Sequence, residues 1–111
     1  MADSPTQDEE VHFNGLTPAE AERLALLAEE CGELVQAIGK VLRHGYESRN
    51  PHASPTSPTN RQSVEREVGD VYTAIRLMFN MGDITRTGCA RAEEAKQESL
   101  SKYLHHNKAP R

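Results

Sequence analysis

The chain has 111 residues, 13 of them Lys or Arg against 17 Asp or Glu, for a formal charge of −4; aromatics are 5% and Trp is absent. That length suits one domain with a modest core. The missing basic run argues against direct nucleic-acid binding, and no apolar stretch approaches the roughly 20 residues that span a bilayer. With no secretory signal read, the two Cys point to a reducing, cytoplasmic setting: Cys31 is expected in the core and Cys89 as an unpaired thiol.

Residues 1–15 are polar and unpatterned and are expected to form a flexible arm; the Glu9-x-x-His12 spacing within it is explained by chance. Thr17-Pro18-Ala19-Glu20 is a helix start, with Thr17 as cap, Pro18 at the first helical position and Glu20 closing a capping box. The first helix then runs to about His44, where Gly45 offers a stop. Its apolar stripe is Leu24, Leu27, Cys31, Leu34, Val35, Ile38, Val41 and Leu42. Residues 45–59 hold Gly45, Pro51, Pro55 and Pro58 and read as a loop long enough to return the next helix antiparallel. The second helix starts near Thr59 or Asn60, with Gln62 placed for another capping box, and ends near Gly82; its stripe is Val64, Val68, Val71, Ile75 and Phe79. A third helix begins between Thr85 and Gly88 and runs to about His105, with thin apolar content in Ala92, Ala95, Leu100, Tyr103 and Leu104. Residues 107–111 are expected to fray.

Ala, Glu, Leu and Arg dominate the periodic segments, and strict alternation is rare. The fold expected is therefore all-α: an antiparallel bundle of three main helices over 16–106. Leu26, Ala37 and Leu77 fall outside the two stripes, so self-association is expected to complete the bundle.

The chain states one phrase twice. Leu27–Leu42 reads LAEECGELVQAIGKVL and Val64–Phe79 reads VEREVGDVYTAIRLMF. Without gaps, Glu30 matches Glu67, Gly32 matches Gly69, Glu33 matches Asp70, and Ala37-Ile38 matches Ala74-Ile75. At 3.6 residues per turn, each copy stacks two carboxylates one turn apart, roughly 80° and 140° from the centre of its apolar stripe. An antiparallel pair brings all four acids to one cleft, with Gly32 and Gly69 permitting close backbone approach. A single Glu-x-x-Glu is ordinarily solvated surface; two in the same register are hard to obtain from surface drift. Carboxylates about 5 Å apart repel by roughly 3 kcal/mol per pair at an effective dielectric of 20. Hard divalent cations relieve that repulsion, and an all-oxygen donor set favours Mg²⁺, with Mn²⁺ as a substitute. A di-iron bundle would need Glu-x-x-His on these helices, and positions 33 and 70 are Glu and Asp.

Glu29-Glu30-Cys31-Gly32-Glu33-Leu34 followed by Glu67-Val68-Gly69-Asp70 resembles the EExxE…ExxD pattern of MazG-like all-α nucleoside triphosphate pyrophosphohydrolases. Gly39–Gly45 and the Thr59-Asn60 helix start resemble the short phage and bacterial members, and the likeness spans about residues 20–105. It implies hydrolysis between the α and β phosphates of a (deoxy)nucleoside triphosphate, giving a monophosphate and pyrophosphate, in a homo-oligomer (dimer or tetramer) with a house-cleaning or nucleotide-pool role. Glu30, Glu33, Glu67 and Asp70 would hold the metal ions; Glu29 would ligate a further ion or orient water, with an ordinary exposed helix acid as the competing explanation. Phosphate contacts are expected from Lys40 first and Lys96 next, with Lys102-Tyr103 behind them; a solvated surface lysine is the competing explanation for each. Asn60 is either a substrate contact or a helix cap. Arg43, His44 and Tyr46 border the loop and could meet the base; a charge effect at the C-terminus of the first helix is the competing explanation for Arg43 and His44. The alternative function is a non-catalytic helical dimer serving as a protein-interaction module.

Overall fold

A computed structural model of the chain describes residues 11–107. Glu9 of the Glu9/His12 pair lies outside them, as do most of the expected arm and the last four residues. The order is α1 (Pro18–His44), α2 (Asn60–Met81) and α3 (Arg86–Ser99), followed by a 3₁₀ turn over Leu100–Lys102. The chain divides into two compact units, Met1–Leu77 and Met78–Arg111, with the boundary inside α2.

Local chemistry sets the helix ends. Thr17 Oγ1 accepts from Glu20 N at 3.1 Å and Glu20 Oε1 accepts from Thr17 N at 2.9 Å, so α1 opens on the expected capping box. Its exit is Gly45, whose φ of 85° is open to glycine and whose N–H donates to Val41 O at 2.7 Å. Before α2, Thr59 N donates to Gln62 Oε1 at 2.9 Å and Gln62 N to Thr59 Oγ1 at 3.2 Å. The cap is therefore Thr59, which frees Asn60 from that role.

In the first unit, Asn60 at the head of α2 reaches the last turn of α1, while Glu67 and Asp70 reach Glu33. The two helices are thus antiparallel. Their meeting face is lined by small side chains: Ala37 is 7% exposed and Ala74 1%. These alanines are equivalent positions of the repeated phrase.

That face corrects the expected one. Leu24, Cys31, Val35, Ile38 and Leu42 were to line the core, yet all are exposed, Leu42 at 82% and Val35 at 67%. Leu27, Leu34 and Val41 are half-buried. The apolar arc of α1 is wider than one partner helix covers, and α2 takes the edge nearest the acids. Gly32 and Gly69 also differ from expectation. Both are exposed, and a Cβ built on either meets nothing within 4 Å, so no close backbone approach occurs there.

The loop from Gly45 to Thr59 folds back on α2. Asn60 N donates to Ser48 O and Arg61 N to Tyr46 O, at 2.8 and 2.9 Å, and Arg49 pairs with Thr59 in an isolated bridge. Arg61 adds an ion pair to Glu47 at 2.8 Å and lies 4.3 Å from the Tyr46 ring centroid.

In the second unit, Gly82 (φ 81°) ends α2 with Gly82 N to Phe79 O at 3.1 Å and Asp83 N to Met78 O at 3.0 Å, the double bond pattern of a glycine-terminated helix. Met78 is 3% exposed. Thr85 caps α3 by accepting from Gly88 N at 3.0 Å. The α-helix stops at Ser99, short of the expected His105, and Ala92 and Ala95 are exposed. With so few apolar side chains, the last turn tightens to 3₁₀.

Candidate metal centre

The repeated phrase places its acids as the antiparallel pairing requires. Glu30, Glu33, Glu67 and Asp70 each offer one carboxylate oxygen, and these four atoms all lie within 4.8 Å of one another. Glu30 is half-buried, Glu67 is buried and Asp70 is exposed. One oxygen of Glu30 and one of Glu67 are buried without a hydrogen-bond partner. Arg66 Nη2 stands 3.3 Å from the other oxygen of Glu67. So much like charge in one place raises the affinity of Glu33 for a proton. Its carboxyl is held above its ordinary value first by the charge of Glu30, then by desolvation and by the charge of Glu67.

The donor set tests what the site would hold. Four carboxylates supply only hard oxygen ligands, and the two orphaned buried oxygens are the kind of group that proteins otherwise satisfy. A divalent cation fits both facts.

The other expected residues divide. Glu29 is exposed and is not among the four converging acids. Lys40 lines a cleft of about 440 Å³ that also includes Glu33, Glu67 and Asp70. The Asn60 side chain donates to Gly45 O at 3.1 Å and to Lys40 O at 3.5 Å, tying the loop to the end of α1. Lys96 belongs to the second unit, where its ammonium lies 5.5 Å from the Tyr103 ring centroid. Arg66 and Ser63, absent from the sequence reading, line the acid cleft as well. Adjacency to Glu67 was the available signal for Arg66; Ser63 gave none.

Fold and site together define an all-helical protein whose two paired helices carry a carboxylate cluster suited to a divalent cation. The MazG nucleotide pyrophosphohydrolase domain model matches residues 19–109. The chain belongs to this family, and membership implies nucleotide pyrophosphohydrolase activity. No curated protein and no solved structure matches the chain. Among the described residues, no helix is long and apolar enough to cross a membrane.

Proposed function

We propose that the protein hydrolyses (deoxy)nucleoside triphosphates to the monophosphate and pyrophosphate, with Mg²⁺ held by Glu30, Glu33, Glu67 and Asp70 and Mn²⁺ as a substitute. The observation that carries this is the convergence of four acids from equivalent positions of α1 and α2 within 4.8 Å. When bound, the cation supplies Lewis acidity, neutralising charge on the phosphates and making water a better nucleophile. In the reaction a water oxygen bonds to the α-phosphorus, and the bond from that phosphorus to the α–β bridging oxygen breaks. The electron pair leaves with pyrophosphate.

Glu29, exposed one turn from Glu33, orients the water and accepts its proton. Lys40 lines the acid cleft and meets the phosphates, and Asn60 is assigned to substrate with it. The exposed seam of Leu24, Cys31, Val35, Ile38 and Leu42 supports a homo-oligomer, dimer or tetramer, that covers it. Action on nucleotides in the cytoplasm is part of the same proposal.

A non-catalytic helical dimer would account for the seam, but not for buried carboxylate oxygens left without partners. A panel of NTPs and dNTPs with Mg²⁺ separates the two. Release of pyrophosphate rather than orthophosphate is expected, and no release from any substrate contradicts the hydrolase.

A further inference from the structure

Beside the acid cleft lies a second cleft of about 640 Å³, between the end of α1, the loop and the start of α2. The two share Lys40, Ser63 and Arg66. Among the described residues, the second is lined by Lys40, Arg43, His44, Arg49 and Arg66, and by no carboxylate. Arg66 is paired with Glu67, and the remaining cations repel one another unless an anion joins them.

Two details show that the wall is built rather than incidental. Arg49 Nε donates to Ser57 O at 2.9 Å, which fixes its guanidinium and leaves the terminal nitrogens without an ion pair among the described residues. Ser57, on the same wall, keeps its Oγ buried and without a partner. Arg43 and His44, expected to meet the base, both line this cleft. Among the described residues, no Phe, Tyr or Trp lines the cleft and Tyr46 is engaged with Arg61, so four basic side chains, Lys40, Arg43, Arg49 and Arg66, stand against one ring, His44, on which a base could stack.

We propose that this cleft binds the diphosphate end of the substrate. Resting on the pyrophosphohydrolase assignment, it places the scissile α–β bond at the seam of the two clefts. Lys40 and Arg66 meet the bridging region, and Arg43 and Arg49 hold the β and γ phosphates. The electron pair of the broken bond then arrives on a polyanion already surrounded by fixed cations, where it is most stabilised. The base and sugar lie on the other side of the acids.

The test is calorimetric titration of the full chain with inorganic pyrophosphate, and separately with a nucleoside monophosphate, in millimolar Mg²⁺. Arg43→Gln and Arg49→Gln are each expected to weaken pyrophosphate about tenfold while leaving the monophosphate unchanged, as loss of one charge-assisted contact predicts. Arg43→Lys retains most of the affinity. Arg43 has no ion pair among the described residues, so its arm stands even if Arg49→Gln loosens the loop. Pyrophosphate binding untouched by both glutamines, or loss confined to the monophosphate, overturns the proposal. Hydrolysis by the wild type is measured apart: pyrophosphate affinity that follows the arginines supports the cleft even where no turnover is seen, and in that case only the hydrolase assignment fails.

Discussion

Glu30 on α1 and Glu67 on α2 hold the same place in the repeated phrase, and each keeps one carboxylate oxygen buried without a hydrogen-bond partner. Buried acceptors of this kind cost stability until something fills them. Their pairing across two helices makes the fold and the site one problem: the approach of α1 to α2 through Ala37 and Ala74 gathers acids that resist it.

Divalent cations should therefore stabilise the chain. At a concentration about 100 times Kd, single-site linkage adds about 2.7 kcal/mol, or several degrees in Tm for a domain of this size. Thermal melts with and without Mg²⁺ measure it. Glu67→Gln is expected to remove most of the shift, and equal melting in EDTA and in saturating Mg²⁺ contradicts it.

The raised pKa of Glu33 has its own signature. A carboxyl whose folded-state pKa lies above its unfolded value favours the protonated folded form. The stability tied to it is complete below the unfolded pKa and is lost as pH rises through the folded one. In EDTA, Glu33→Gln should melt higher than the wild type at neutral pH, and the advantage should vanish as pH falls into the carboxylate range. A pH-independent difference points to a cause other than charge.

Gly32 and Gly69 sit in exposed helix interior, where a Cβ meets nothing within 4 Å. Gly32→Ala and Gly69→Ala should each stabilise by about 0.5–1 kcal/mol, because alanine restricts the unfolded chain at no steric cost. Chemical denaturation of the single variants reads this; destabilisation by either means that the open space is filled in solution.

Asn60 is buried and gives its side-chain N–H groups to the Gly45 and Lys40 carbonyls. Asn60→Ala leaves those carbonyls short of a donor and should cost about 1–3 kcal/mol. The loss should appear in urea melts, together with earlier amide exchange at Ser48-bonded Asn60 N and Tyr46-bonded Arg61 N, the bonds that close the loop. Unchanged exchange there would free Asn60 from its role as the loop tie.

Caps were legible in the sequence because they are local: Thr17, Glu20, Thr59 and Gln62 announce their bonds within one turn. The meeting of the four acids was legible because a repeat fixes register on both helices at once. Which side of α1 meets α2 was not. Periodicity weighs bulk, so Leu24, Val35, Ile38 and Leu42 pulled the expected core toward themselves, while the observed contact runs through Ala37 and Ala74. Small side chains carry little hydrophobic signal and allow the approach that the acids need. The loop-side cation was hidden for another reason: Arg49 reaches the cleft through a fold-back that no helical period encodes.

Pyrophosphate release from a triphosphate in Mg²⁺, compared across wild type, Glu30→Gln, Glu33→Gln, Glu67→Gln and Asp70→Asn, weighs the shared role of the four acids most directly. Each substitution is expected to lower turnover by about a hundredfold or more, as removal of a ligand or of transition-state charge stabilisation does. Full activity retained by any variant that still folds would contradict a single cation centre built from both copies of the phrase.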